Sequence, residues 1–461
     1  MTALLWFRND LRLSDNPALS AAADATHNLI PVYIFDNSVS RSLGAAQQWW
    51  LYHSLTALRD ALKRKGVTLV LKKGNSKKIL VELAKKYKAE AVYWNRSYDP
   101  LLMKRDADIE KHFVRHDINV HTFNGSLLTE PADVKNKSGE YFKVYTPYWR
   151  SVLEVIGDVK PLPAPRKLVQ QSKVTSDRIE SWRLLPKNPD WSKGFKIWKV
   201  GERAAKQVLK RFVKSGLKNY DKNRDRPDLL GTSHLSPYLH FGEISIWQVW
   251  DATKQNKAFL RQLIWREFCQ YVLFHFPQLG DRNYKKEFNA LKWKKSQKKI
   301  YAWQKGLTGY PIVDAGMREL WATGYMHNRV RMIVASFLTK DLLIDWREGE
   351  RWFWDTLLDA DSANNAFGWQ WVAGTGLDAA PYFRVFNPTL QGKKFDPNGE
   401  YVLQWVPELA KLPKKYIHEP SNAPKEILKK SAVQLGENYP LPIVDHKKAR
   451  IAALGYFKKL K

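Results

Sequence analysis

Cysteine is almost missing from this chain: Cys269 stands alone among 461 residues, so neither an intramolecular disulfide nor a thiolate metal cage can form. A lone thiol fits a reducing cytoplasm, and its place in an aromatic helical run marks it as a small buried hydrophobe. No apolar stretch approaches the roughly 18 residues that a bilayer span requires. Residues 1–13 carry Arg8, Asp10 and Arg12 where a signal peptide needs an apolar core, so a soluble, untargeted protein is expected. No glycine-rich phosphate loop follows the first apolar run, which excludes a dinucleotide fingerprint. Repeats and low-complexity tails are absent too. Acidic residues are scarce: 46 Asp and Glu stand against 76 Lys and Arg, a net charge of +30.

What is present bounds the class. Hydrophobic residues make up 44% and charged residues 26%, the balance of a globular chain. Its length suits more than one core, since single cores stop growing near ~250–300 residues. Trp, Tyr and Phe number 20 each, which puts indole surface in unusual supply for stacking. Folding gains nothing from the self-repulsion of +30, and a polyanionic partner explains it. Scattered lysine also serves solubility, but here the excess is clustered. Residues 285–299 hold seven Lys and one Glu; residues 411–461 hold twelve Lys and Arg against four Asp and Glu. DNA is the expected partner, and no basic amphipathic anchor points to a membrane.

Short apolar runs at 3–8, 29–35, 68–72, 91–94 and 119–123 alternate with helical patterns. Between the second and third, Leu51, Leu55, Leu58 and Leu62 recur at helical spacing. That alternation predicts a doubly wound parallel sheet, an α/β domain over residues 1–130. Pro161, Pro163, Pro165, Pro186 and Pro189 then break the pattern, and residues 131–195 read as an interdomain linker. Helical periodicity fills the rest, predicting a large all-α domain over 196–461.

Four polar constellations stand out. In 231–239, Thr232, Ser233 and Ser236 surround Gly231 ahead of a helix, which suits an anion or a simple N-cap. Gln262, Trp265 and Arg266 share one helical face, an amide, an indole and a guanidinium able to hold a phosphate and stack a base. In 326–332 Val330 joins the apolar stripe of a helix while Asn328 and Met332 face away, with Arg331 at the boundary. His327 has no partner at metal spacing, and no metal is expected. Residues 359–371 crowd two carboxylates, two amides and two indoles into thirteen positions, which fits either a capped helix with a turn or a site for a planar hydrogen-bonding ring.

Taken in order, Trp6-Phe7-Arg8-Asn9-Asp10-Leu11-Arg12-Leu13, Trp265-Arg266-Glu267-Phe268, Gly309-Tyr310-Pro311-Ile312-Val313-Asp314-Ala315, residues 326–332, 341–350 and 364–371 closely resemble the DNA photolyase/cryptochrome family. The match spans nearly the whole chain and lies nearest to cyclobutane pyrimidine dimer photolyases of class I and class III. The resemblance implies FAD in the helical domain, an antenna chromophore with the α/β domain, and light-driven repair of ultraviolet-damaged DNA, where the damaged bases are flipped out of the duplex.

It also implies roles. Tyr220, Thr232, Ser233, Leu235 and Ser236 match positions that hold the FAD phosphates and ribityl chain, and Arg266 matches a further contact. Arg331 and Asp359 match an ion pair beside the isoalloxazine ring; Asp361 matches another ring contact. Asn365 matches the residue at flavin N5, where plant cryptochromes place Asp. Trp369, Trp346 and Trp293 match an electron-transfer chain from flavin to surface. Trp265 and Trp371 match the indoles that embrace the dimer, and Asn328 and Met332 match dimer contacts. (6-4) photolyases carry His at those two positions, so a cyclobutane dimer is the expected lesion. Arg224 and Arg329 match phosphate contacts.

Gln262 departs from the pattern, because many relatives place a Glu there that supports the dimer radical anion. Tyr325 replaces a Trp and is expected to adjust packing. Trp49-Trp50 and residues 95–100 resemble the class III branch. Antenna residues do not carry over cleanly; methenyltetrahydrofolate is favoured over a deazaflavin. A monomer working in the cytoplasm at the nucleoid is expected. The competing reading is a cryptochrome-type photoreceptor that binds FAD, with or without DNA, and does not repair efficiently. Asn365 and the lack of a long extension past the last helical segment weigh towards the lyase.

Overall fold

The apolar runs of the first 123 residues become five parallel strands: β1 Thr2–Phe7, β2 Asn28–Phe35, β3 Val70–Lys73, β4 Ala91–Asn95 and β5 Asn119–Phe123. Their order across the sheet is β3-β2-β1-β4-β5, with Leu4 opposite Ile30 on one side and Val92 on the other. β1, β2 and β4 are buried along nearly their whole length, because crossover helices cover both faces. This is the doubly wound sheet that the sequence predicts. Geometry comes from a computed structural model, which describes residues 1–458; the last three positions of segment 196–461 lie outside them.

The chain divides into two compact units. Unit 1 comprises Met1–Trp191, Trp198–Lys218 and Ser233–Pro277; unit 2 comprises Ser192–Ile197, Asn219–Thr232 and the chain from Gln278 onward.

In unit 1 the crossover helices begin at readable signals. Asn16 accepts from the Leu19 amide ahead of Pro17, and Asp99 caps the helix that opens at Pro100. The leucine stripe of helix Ala45–Arg64 is buried at all four positions. Leu4, Trp6, Val32, Leu80, Val92, Trp94 and Phe113 form the core on one face of the sheet. Segment 131–195 contains the helix Tyr145–Val155 and is tied to the sheet: Leu29 donates to the Val169 carbonyl at 2.7 Å and Asp177 to that of Leu71 at 2.9 Å. Helix Lys257–His275 completes this unit.

Unit 2 is helical, and no strand lies beyond β5 among the described residues. Helices Pro311–Thr323, Asn328–Ser336, Trp346–Thr356 and Asn364–Ala373 enclose its core around Trp303, Phe337, Trp346 and Trp369. The Gly309 to Ala315 motif explains itself here. Asp314 is fully buried and accepts from Thr308 N at 2.7 Å, Gly309 N at 3.0 Å and the Tyr439 hydroxyl at 2.8 Å, locking the start of helix Pro311–Thr323. Gly309 has φ 77, and a Cβ there would meet the Leu441 carbonyl carbon at 2.5 Å, so only glycine fits.

Candidate functional site

In unit 2 the expected ring-binding positions are buried or half-buried and held by neighbours. Arg331 makes a two-pronged ion pair with Asp359, Nη1 to Oδ1 at 3.0 Å and Nη2 to Oδ2 at 2.9 Å, while its Nε donates to the Met326 carbonyl at 2.8 Å. Burial opposes the charge on Arg331, but the Asp359 carboxylate outweighs it and the guanidinium pKa lies above its ordinary value. Tyr325 does more than adjust packing: its ring lies 5.5 Å from that guanidinium, giving the cation a second partner.

Asn365 is fixed by Glu350. Its Nδ2 donates to the Glu350 carbonyl at 3.0 Å and to Glu350 Oε1 at 2.8 Å. With both amide hydrogens engaged, Oδ1 is the group left to offer, and it is an acceptor. Asp361 accepts from Ala363 N at 2.9 Å and Asn364 N at 2.7 Å, so it also starts helix Asn364–Ala373. The capped-helix reading of segment 359–371 thus holds, with Asp361 at its start.

Trp369 is enclosed by Phe353, centroid at 5.0 Å, and Trp303 at 6.0 Å, and its Nε1 has no acceptor among the described residues. Trp346 is fully buried and donates to Asn283 Oδ1 at 2.9 Å. Trp293, half-buried, packs on the margin of the same core. Trp371 is half-buried as well. Asn328 is exposed, with its amide 3.9 Å from Met332 Sδ, so these two do share a side of their helix. Arg329 pairs with Asp225 at 2.9 Å, and Arg224 lies over the Tyr220 ring at 5.5 Å. Burial raises the Tyr220 phenol to about 12. Thr232 is half-buried.

In unit 1, Leu235 is buried, Ser233 Oγ accepts from its amide at 3.3 Å, and Ser236 opens the short helix Ser236–His240. Gln262, Trp265 and Arg266 are all half-buried while Leu263, Ile264, Glu267 and Phe268 are buried, so the periodicity reading of that face holds. Arg266 donates to the Leu239 carbonyl at 3.3 Å. Within the Trp265 to Phe268 motif, Glu267 serves the fold: it accepts from Leu128 N at 2.7 Å and from Thr129 N at 2.8 Å, and burial lifts its carboxyl to about 7.

Two residues went unseen in sequence. Glu350 ends the conspicuous 341–350 run, yet its partner lies fifteen positions on. Tyr145 stacks on Trp265 from a segment read as linker. Among the described residues no helix is long and apolar enough to cross a membrane, and no His, Cys, Asp or Glu cluster could hold a metal ion.

Residues 259–459 match the family described as the FAD binding domain of DNA photolyase, and residues 3–166 the family described as DNA photolyase. A deoxyribodipyrimidine photo-lyase of Agrobacterium fabrum is 50% identical over 470 residues, 99% of this chain and 98% of that one. Cryptochrome-2 of Arabidopsis thaliana is 39% identical, covering 97% of this chain and 77% of its own. A solved class III photolyase from Agrobacterium tumefaciens has a TM-score of 0.97 at 50% identity, covering 100% of this chain and 97% of that one. Synechocystis cryptochrome gives 0.88 at 29% identity, over 100% and 99%.

Proposed function

We propose that this chain, which belongs to the DNA photolyase/cryptochrome family, is a deoxyribodipyrimidine photo-lyase that splits cyclobutane pyrimidine dimers in DNA with light. FAD, held by the photolyase-type FAD-binding domain, supplies the light-driven electron when bound and reduced. The side chains present suit that group. By the family resemblance, Tyr220, Thr232, Ser233, Leu235, Ser236 and Arg266 bind its phosphates and ribityl chain. Arg331, Asp359 and Asp361 bind the ring.

The observation that carries the repair reading is the Asn365 amide. Glu350 takes both of its hydrogens, so the group offered to flavin N5 is an oxygen, an acceptor suited to a ring that carries hydrogen there. An amide brings no acidic proton to that position. Trp369, Trp346 and Trp293 relay electrons to the ring, and the position of Trp293 within the lysine-rich segment 285–299 gives the relay a charged outer end.

Ultraviolet-damaged DNA is the partner. Arg224 and Arg329 contact phosphates, which position the duplex without reading sequence. Gln262, Trp265, Asn328, Met332 and Trp371 recognise the dimer, each indole stack contributing roughly 1–3 kcal/mol. Residues 1–130 carry an antenna, methenyltetrahydrofolate in preference to a deazaflavin; 131–195 join them to the catalytic segment 196–461. The protein works as a cytoplasmic monomer at the nucleoid.

One observation favours a second reading, a photoreceptor without efficient repair: Gln262 cannot supply the charge or the proton that a Glu would. The test is illumination of the purified, reduced holoprotein with dimer-containing DNA. Dimers should disappear in blue light and persist in the dark. Bound, photoreducible flavin with no loss of dimers would overturn the lyase reading.

A further inference from the structure

Trp265 does not stand by itself on its helix. The Tyr145 ring lies against it face to face, centroids 3.6 Å apart and planes 9° from parallel. Aromatic pairs usually sit 4.5–7 Å apart, offset or edge-on, so this is a close, nearly full overlap. Tyr145 is itself fixed. It is 2% exposed, its hydroxyl donates to the Arg261 carbonyl at 2.6 Å, and its edge meets Phe268 at 5.8 Å. Arg261 precedes Trp265 by one turn of helix Lys257–His275, so the phenol is tied to the same helix that presents the indole. Phe268 also touches Trp265, edge-on at 5.8 Å, and closes the third side of the cluster. The pair therefore has a buried inner ring and a half-exposed outer one.

We propose that Tyr145 is a positioning residue for lesion recognition, holding the Trp265 indole in the plane on which the flipped dimer stacks. This rests on the reading of Trp265 as a dimer contact. A half-exposed indole samples several rotamers, and a base that stacks on it must first stop that motion. A ring clamped from behind has already lost that freedom, so more of the stacking energy reaches the complex. The hydroxyl-to-carbonyl bond adds control of tilt that an aliphatic side chain of equal volume lacks. The resulting order is a three-layer stack, phenol, indole and base, built outward from the core.

Tyr145→Leu, Tyr145→Phe and Trp265→Leu holoproteins are compared for binding to a single-stranded oligonucleotide with one dimer and to the same strand undamaged. Tyr145→Leu should lose roughly three- to tenfold in affinity for the dimer strand, with undamaged-strand affinity and flavin content kept. Tyr145→Phe keeps the stack and should restore discrimination to within about twofold. Once a dimer is bound, its repair per absorbed photon should not change in any Tyr145 variant, because the residue acts on binding. Should the leucine variant not fold, Tyr145→Met fills the volume without a planar ring and carries the same expectation. Full discrimination in Tyr145→Leu or Tyr145→Met, alongside its loss in Trp265→Leu, overturns the positioning role and leaves the dimer contact standing. Full discrimination in Trp265→Leu overturns the contact itself.

Discussion

Asn365→Asp probes the amide orientation most directly. The substitution keeps the shape of the side chain but sets acceptors against the Glu350 carbonyl and Oε1, which now receive hydrogen bonds at 3.0 and 2.8 Å. Two unit charges at that shorter separation repel by about 6 kcal/mol at an effective dielectric constant near ~20. The buried folded pair therefore holds a proton to higher pH than an unfolded aspartate does. A carboxyl whose folded pKa is raised contributes fully below its unfolded value and loses that contribution as pH rises towards the folded value. The deficit of the variant against the parent should therefore widen from pH 5 to pH 8, towards the about 6 kcal/mol of full charge repulsion. Urea unfolding followed by circular dichroism at pH 5, 6.5 and 8 measures it. Glu350→Gln in the same chain restores a donor and should flatten the slope, since the two sites share one interaction. A deficit constant from pH 5 to 8 would refute the argument that Glu350 orients this amide.

Trp369→Phe should stop photoreduction of oxidised flavin yet leave repair by chemically reduced enzyme near the parent rate; unchanged photoreduction sinks the relay. Gly349→Ala places a Cβ 2.0 Å from Trp369 Cη2, so thermal unfolding should show about 1–3 kcal/mol of overpacking and photoreduction should slow with it. Gln262→Glu should raise the repair yield per photon, and an equal or lower yield would show that the amide does not limit. Burial lifts the Glu243 carboxyl to about 8. The folded chain therefore keeps a proton that the unfolded chain loses near pH ~4.3, and stability should fall by up to roughly 5 kcal/mol as pH climbs between those values. Glu243→Gln should remove most of that fall, which urea midpoints will reveal.

The sheet was legible because strands buried on both faces read as unbroken apolar runs. β4 runs one residue past its apolar stretch, to Asn95, whose amide is buried against Asp10 Oδ2 at 2.5 Å and Asn16 Oδ1 at 2.8 Å. A polar residue looks like a strand end until its partners, some eighty positions away, are known. Helical spacing was enough to place Gln262, Trp265 and Arg266 on one face. It could not show that Tyr145 backs that face, because the two residues are joined only through tertiary packing. The motifs that carried the family resemblance mix two kinds of work: Asp314 and Glu267 clamp the backbone, while Arg331 and Asp359 form an ion pair. Sequence does not separate them, since a buried carboxylate costs the same to satisfy in either case.

The three hydrogen bonds to Glu267 bear on how this protein can be cut and recombined. Leu128 and Thr129 follow the last strand of the sheet, and their donors satisfy a buried carboxyl group on the helix that carries Gln262, Trp265 and Arg266. Opening one side exposes an unsatisfied acid on the other, so that loop and that helix should exchange their amide hydrogens as one cooperative block. The sheet module cannot be exchanged without supplying the same donors to Glu267, so the segment after β5 and helix Lys257–His275 have to be exchanged together.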